Sequence, residues 1–293
     1  MTDKNTETAI SEVEAKVTHH TTGASGVDIH YVTAGEGEPI LFIHGFPDHW
    51  LTWWHQIQAL SDKHQVAAMD LRSFNLSAQP TEEASYDIHV LISDVEAVIN
   101  ALGGKPVTLV GHDWGGFVAW YVAMMKPELV KQLAVVNIPH PWAVARELVH
   151  NEAQQEASAY ARLFQTPGAH KMVPPEQVRA WVQDAAFMKR HEVAMQRSNI
   201  DAMLNYYRVL FPRAPYEEYR DEAPLINVPT LVVYGTKDPY LLANGLNNVW
   251  DFVSGDLTIK AWPDAGHFAQ HEQPARLSRV LIHWLHEKMR DRL

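Results

Sequence analysis

The feature that most constrains this chain is a series of short apolar segments, each ending in small or polar residues. The segments are apolar on both faces, which is typical of strands in a parallel sheet covered by helices on each side. Helical patterns lie between them, for example over residues 87–102 and 114–125. This alternation predicts an α/β protein with a mostly parallel, doubly wound sheet. The segments cover residues 39–43, 66–69, 107–110, 133–136 and 230–234.

One long interval, residues 141–222, interrupts this alternation with a helical pattern that contains no strand-like segment. The sheet pattern then resumes, so we predict a helical lid inserted into a core domain of residues 16–140 and 223–293. The interval holds ten basic and eleven acidic residues, and this near balance favours an uncharged substrate.

The N-terminal part of the chain carries two further predictions. Residues 1–15 are polar and lack periodicity, so they are expected to form a flexible tail. Residues 16–21 and 27–33 alternate in polarity around Gly23 and Gly26, which predicts a β-hairpin.

Composition excludes several classes of function. Lys and Arg number 24 and Asp and Glu 35, a net charge of −11 that argues against nucleic acid and anionic membrane surfaces as partners. The absence of cysteine excludes disulfides, thiolate catalysis and cysteine-bound zinc. Neither a signal-like segment nor an apolar run of about 18 residues occurs. We expect a cytoplasmic monomer or homodimer without cofactor or metal.

The strongest catalytic motif is a strand that runs directly into a helix around Asp113, with small residues on both sides of that position. This spacing is typical of the nucleophile elbow, whose central residue is usually serine. A carboxylate that attacks a saturated carbon forms an ester, which water can cleave, whereas serine would form a stable ether. Asp113 therefore predicts attack on an sp³ carbon bearing a leaving group. The motif reads Val107-Thr108-Leu109-Val110-Gly111-His112-Asp113-Trp114-Gly115-Gly116.

Other segments supply the remaining parts of such a site. The backbone N–H groups of Phe46 and Trp114 are candidates for an oxyanion hole. The order nucleophile, acid, histidine assigns Asp238 to orient the imidazole of His267, which would activate water. Asp264 precedes His267 more closely, but it is better interpreted as a turn residue.

From about residue 25 onward the chain resembles the α/β-hydrolase superfamily and, within it, the epoxide hydrolases. The resemblance implies that the lid tyrosines Tyr160 and Tyr207 donate to the epoxide oxygen, and that the Phe46–Pro47 bond is cis. At Ser73 the family usually has Gly, which is expected to alter a turn. The matching segments are His44-Gly45-Phe46-Pro47-Asp48, Gly111-His112-Asp113-Trp114-Gly115-Gly116, Asn137-Ile138-Pro139-His140-Pro141, Tyr160-Ala161-Arg162-Leu163-Phe164-Gln165-Thr166-Pro167-Gly168, Asn205-Tyr206-Tyr207-Arg208 and Gly266-His267-Phe268.

Two alternatives stay open beside an epoxide hydrolase. A haloalkane-type dehalogenase would use the same Asp nucleophile, and Trp114 is compatible with it, but Phe46 offers no second N–H donor for a halide. A non-catalytic ligand-binding protein on the same scaffold is less favoured, since the set of catalytic residues is complete. The expected substrate is a small apolar epoxide in a pocket of aromatic residues, namely Phe46, Trp114, Phe164 and Phe268, with Phe187 a further candidate.

Overall fold

The computed structural model describes residues 3–24, 26–173 and 182–290. Within these ranges eight strands form one sheet in the order β1-β2-β4-β3-β5-β6-β7-β8. Their bounds are Thr18–Ala24 (β1), Val27–Ala34 (β2), Glu38–Ile43 (β3), His64–Met69 (β4), Val107–His112 (β5), Val130–Val136 (β6), Thr230–Gly235 (β7) and Leu257–Trp262 (β8).

Strand pairing confirms the α/β class predicted from the sequence. Strands β1 and β2 form an antiparallel hairpin, and β2 pairs with β4 in the same manner. Every pairing from β4 across to β8 is parallel. The sheet is therefore mostly parallel, with the predicted hairpin at one edge.

Helices cover the sheet on both faces. The α-helices described are Asp3–Lys16 (α1), Trp54–Leu60 (α2), Ile88–Ala101 (α3), Trp114–Met125 (α4), Pro141–His150 (α5), Glu152–Ala157 (α6), Ala159–Phe164 (α7), Ala185–Arg197 (α8), Ile200–Met203 (α9), Asn205–Leu210 (α10), Ala269–Glu272 (α11) and Pro274–Arg290 (α12). Short 3₁₀ turns span Trp50–Trp53, Glu83–Tyr86, Pro127–Leu129, Ala169–Met172, Ala243–Leu246 and Val249–Phe252. No helix in these described ranges is both long enough and apolar enough to cross a bilayer.

Two buried apolar clusters explain why these strands read as apolar on both faces. In β3, Leu41 and Ile43 belong to one cluster together with side chains of α3 and α4. The alternate residues Ile40 and Phe42 belong to the other, which includes side chains of α2 and α12. Successive side chains of a strand point to opposite faces, so both faces of β3 must be apolar to bury against helices.

The interval predicted as a lid contains helices and no strand in its described residues, and residues 211–222 form irregular structure. Helices α5 to α10 lie between residues 141 and 210, and no strand occurs over residues 141–173 or 182–222. Residues 174–181 of the predicted lid lie outside the described residues.

The N-terminal segment differs from the flexible tail expected from the sequence. Helix α1 places Ile10 and Val13, three residues apart, on one buried face. Arg190 of α8 forms ion pairs with Glu7 and Glu14 of α1. Residues 3–16 therefore form an amphipathic helix that packs against α8, which their polar composition did not predict.

Ser73, the position at which the resembled family usually has Gly, lies in a turn of the structure. Ser73 has a φ of 73°, in the left-handed region that favours glycine. Its hydroxyl lies in hydrogen-bonding contact with the buried Tyr86 hydroxyl. Ser73 therefore adopts a backbone conformation that glycine would adopt more easily, and its side chain adds a contact to the turn.

Candidate functional site

The site lies where the strand order reverses. Strand β3 pairs with β4 on one side and β5 on the other, so the chain leaves the carboxyl ends of β3 and β5 in different directions. Such a topological switch point opens the crevice in which ligands of α/β sheets usually bind. Residues 44–48, termed the oxyanion loop here, follow β3, and Asp113 follows β5.

Asp113 occupies a strained turn between β5 and α4. Its backbone has φ 50° and ψ −123°, which ordinary L-residues rarely adopt. The glycines around it permit this turn: a Cβ on Gly115 would lie 2.3 Å from the His44 carbonyl oxygen, and one on Gly111 would lie 2.5 Å from the Gly115 carbonyl oxygen. Backbone packing around the turn therefore requires residues without a side chain at positions 111 and 115, as the motif in the sequence indicated.

The two carboxylate oxygens of Asp113 have different partners. Oδ1 accepts a hydrogen bond of 2.7 Å from the Phe46 N–H, and the Trp114 backbone N–H also hydrogen-bonds to the carboxylate. Oδ2 lies 3.6 Å from Nε2 of His267. Burial favours the neutral carboxyl, but the contact with His267 and these N–H groups hold the pKa of Asp113 below its ordinary value. Asp113 is therefore ionised, with one oxygen directed toward the imidazole.

His267 lies between two carboxylates. Its Nδ1 is 2.7 Å from Oδ2 of Asp238, while Nε2 faces Asp113. Burial alone would disfavour the charged ring, but the Asp238 and Asp113 carboxylates raise the pKa of His267 to about 10. The resting site thus holds an imidazolium between two anions.

Asp238 is fixed by three groups besides His267. Its Oδ1 accepts from the backbone N–H groups of Tyr240 (2.8 Å) and Leu241 (3.0 Å), and its Oδ2 accepts from Nδ2 of Asn137 (3.0 Å). Asn137, directly after β6, was not identified as a site residue in the sequence analysis, which named it only within a segment that resembles the family. A carboxylate anchored in this way holds the ring of His267 in one orientation.

A cavity of about 260 Å³ lies over Asp113. Its walls are predominantly apolar and aromatic, and both predicted lid tyrosines, Tyr160 and Tyr207, line it. Burial, with the nearby Asp113 charge, raises the pKa of each phenol well above its ordinary value, so both keep their protons at neutral pH. The lining residues are Phe46, Pro47, Asp113, Tyr160, Leu163, Phe164, Met172, Val173, Tyr207, Tyr240, His267 and Phe268.

Tyr206 and Tyr207 are neighbours in helix α10, but their side chains point to different surroundings. Tyr207 lines the cavity, whereas the fully buried Tyr206 directs its hydroxyl to the Arg72 carbonyl at 3.4 Å. The choice of Tyr207 in the sequence analysis is the one consistent with this geometry.

The predicted pocket residues fall into three places. Phe46, Phe164 and Phe268 line the main cavity. Trp114 lines a second compartment of only about 30 Å³, which shares Asp113 and both lid tyrosines with the main cavity. Phe187 lines a third cavity, which Asp113 does not line but which shares Tyr240, His267 and Phe268 with the main cavity. Its side chain is buried in the apolar cluster that includes side chains of α2 and α12.

Two further residues at the site were not found from the sequence. The ring of Tyr240 packs edge-on against His267 and Tyr160, with centroids 5.2 and 5.1 Å apart. His112 has a ring nitrogen, Nε2, 2.9 Å from the His267 carbonyl oxygen, while its Nδ1 accepts from Gln270 at 3.1 Å. Since burial lowers the pKa of His112 to about 4, this ring is neutral and donates to the backbone of His267. The position of His112 directly before Asp113 in the motif is the feature of the sequence that could have identified it as a site residue.

Comparisons with known proteins agree with this architecture. The family described as the alpha/beta hydrolase fold matches residues 38–274. Epoxide hydrolase 3 of Xenopus tropicalis is 30% identical over 283 residues, which cover 90% of this chain and 76% of that protein. Epoxide hydrolase 4 of Homo sapiens is 28% identical, with 92% of this chain and 78% of that protein covered.

Solved structures show the same likeness. The crystal structure of a Bacillus megaterium epoxide hydrolase in complex with an inhibitor superposes with a TM-score of 0.85 at 32% identity, covering 91% of this chain and all of that one (100%). A structure of an epoxide hydrolase from metagenomes of hot environments gives a TM-score of 0.80 at 30% identity, covering 92% and 98%. The chain belongs to the α/β-hydrolase fold family and, within it, to the epoxide hydrolases.

Proposed function

We propose that this enzyme hydrolyses an apolar epoxide to a vicinal diol through a covalent ester on Asp113. The observation that carries this proposal is the arrangement around one carboxylate: Oδ1 on the Phe46 N–H, Oδ2 near His267, and two protonated tyrosines in the same cavity. A nucleophile, an acid for the leaving oxygen and a base for water are then available in one place.

In the first half-reaction Oδ2 of Asp113 attacks a carbon of the epoxide ring. The new bond joins that carbon to Oδ2, and the carbon–oxygen bond of the ring breaks. An alkoxide in an apolar cavity is costly unless it is hydrogen-bonded or protonated. Tyr160 and Tyr207 donate to this oxygen, and their raised pKa values keep the phenols protonated at neutral pH until the ring opens.

Ester formation removes the negative charge of Asp113, so the Nε2 proton of His267 can pass through solvent to the phenolate left by ring opening. In the second half-reaction water then attacks Cγ of Asp113 and gives a proton to the neutral Nε2 of His267. The negative charge that develops on Oδ1 is held by the N–H groups of Phe46 and Trp114. The bond between Cγ and the former Oδ2 then breaks as His267 returns this proton to that oxygen, which leaves as a hydroxyl group of the diol. The water oxygen remains on Asp113, and the second water proton passes from the new carboxyl to His267, which restores the resting ion pair. Asp238 holds His267 throughout, which makes the three residues a catalytic triad.

The lid, acting as a cap domain, and the cavity define the substrate. Apolar side chains surround the reacting atoms, and the cavity of about 260 Å³ accommodates one apolar substituent of the epoxide. The adjoining compartment of about 30 Å³ has space for little more than one water molecule or methyl group. The favoured substrates are therefore terminal epoxides with a single apolar group.

Isotope labelling tests the ester mechanism. In ¹⁸O-water a single turnover, with enzyme in excess, should give unlabelled diol and place the label in the carboxylate of Asp113. After several turnovers the label should also appear in the diol. Labelled diol from the first turnover would refute the ester and indicate direct attack by water. A parallel panel of haloalkanes, assayed for free halide, distinguishes the dehalogenase alternative.

A further inference from the structure

One histidine of the predicted lid hydrogen-bonds to the backbone of the oxyanion loop. His191 of helix α8 is fully buried, and its Nε2 lies 2.6 Å from the carbonyl oxygen of Pro47. A carbonyl oxygen can only accept, so Nε2 carries the proton. Burial lowers the pKa of His191 to about 4, which leaves the ring neutral. The N–H of this neutral ring therefore binds a residue of the oxyanion loop.

The start of the oxyanion loop is held by the core. His44 accepts from the Leu71 N–H at Nε2 (3.0 Å), so its Nδ1 donates to the Gly45 carbonyl (2.8 Å). The Asp48 N–H donates to the same carbonyl at 2.9 Å. The Gly45 carbonyl and the Phe46 N–H share one peptide plane. These contacts fix that plane on the side of Gly45.

The other side of Phe46 is held by the lid. Pro47 follows Phe46 directly, and its carbonyl is the group that His191 binds. Helix α8 is in turn anchored to α1, because Arg190, the neighbour of His191, pairs with Glu7 and Glu14. The position of the Phe46 N–H, 2.7 Å from Oδ1 of Asp113, thus depends on a helix more than 140 residues away in the chain.

We infer that His191 is a positioning residue that keeps the Phe46 N–H directed at Oδ1 of Asp113 while the lid is docked. This inference rests on the proposed function. Charge on Oδ1 is greatest in the tetrahedral intermediate of ester hydrolysis, so that step depends most on an accurately placed N–H donor. Loss of the His191 hydrogen bond therefore slows ester hydrolysis more than ester formation.

A matched pair of variants tests this inference. Gln and Met have similar length and volume, but only Gln can donate a hydrogen bond to the Pro47 carbonyl. Both half-reactions are measured for each variant by rapid quenching and mass spectrometry of the protein, with a terminal aryl glycidyl ether as the probe. His191→Met should slow ester hydrolysis about 10-fold, which is less than the 10²–10³-fold loss expected when a whole oxyanion donor is removed. The same substitution should change the rate of ester formation less than about 2-fold. His191→Gln should restore most of the hydrolysis rate.

A control separates positioning from general loss of packing. Met195 is buried one turn further along α8, so Met195→Ala should lower the melting temperature without changing the ratio of the two rates. The inference is overturned if His191→Met slows both half-reactions equally or neither, or if Gln fails to restore hydrolysis.

A second measurement needs no substitution. In ¹⁵N-histidine spectra of the wild-type protein, His191 should be the neutral tautomer protonated at Nε2, and protonation at Nδ1 alone would also overturn the inference. Absence of any ester in the wild-type enzyme would instead refute the proposed function, so the two failures are distinguishable.

Discussion

Replacing Asp113 by Asn tests how His267 changes from a stabilised cation into a base. In the resting site the Asp238 and Asp113 carboxylates outweigh burial and raise the pKa of His267 to about 10, so the ring is charged at neutral pH. Ester formation removes the charge of Asp113. Asn is a neutral side chain of nearly the same shape, so Asp113→Asn should lower the pKa of His267.

The size of this change follows from the geometry. Nε2 of His267 and Oδ2 of Asp113 are 3.6 Å apart. Two unit charges at that separation attract by about 5 kcal/mol at an effective dielectric constant of about 20. Since about 1.4 kcal/mol corresponds to a factor of ten, the acid dissociation constant of His267 should rise by about three orders of magnitude. Such a ring would be neutral in a large fraction of molecules near neutral pH, as a general base requires.

Nuclear magnetic resonance of ¹⁵N-labelled histidine measures the effect. The His267 signal, assigned with a His267→Gln variant, should stay that of the imidazolium from about pH 6 to 9 in wild type and should titrate within that range in Asp113→Asn. In single turnovers, hydrolysis of the ester should speed up with rising pH and then level off, because the step needs neutral His267. An unchanged titration of His267 in Asp113→Asn would refute the reasoning.

Three further predictions concern the proposed reaction. His267→Gln should still form the ester but hydrolyse it at least about 10²-fold more slowly. Mass spectrometry should then show the protein with the added mass of the substrate, and turnover at the wild-type rate would contradict His267 as the base. Tyr160→Phe and Tyr207→Phe should each slow ring opening on the order of 10²-fold, and the double variant should nearly abolish it. A folded double variant that opens epoxides at the wild-type rate would refute the assignment of the two phenols as donors to the epoxide oxygen. Phe211 lines the small compartment, so Phe211→Ala should raise kcat/KM for 2,3-disubstituted over terminal epoxides about 10-fold; competition assays that give an unchanged ratio would contradict the proposed steric limit.

Local patterns in the sequence were sufficient for the sheet and for the turn around Asp113. Strands buried on both faces are apolar throughout, and a strand–turn–helix unit is built from adjacent residues. The α/β class could therefore be predicted, and the position of the elbow motif corresponds to the sharp turn after β5. The order of motifs along the chain also indicated the pair Asp238 and His267, whose side chains are in contact in the structure.

Tertiary structure decided the features that depend on distant segments. Ile10 and Val13 are two apolar residues in a polar segment, and their burial depends on how α1 packs on the rest of the fold. The contact between His191 and Pro47 joins positions 144 residues apart. Phe187, an aromatic residue like Phe164, lines a different cavity because of the direction in which its helix packs. Periodicity reports which face of an element is buried, whereas its partner is set by the packing of whole elements against one another, and the sequence by itself does not encode that choice locally.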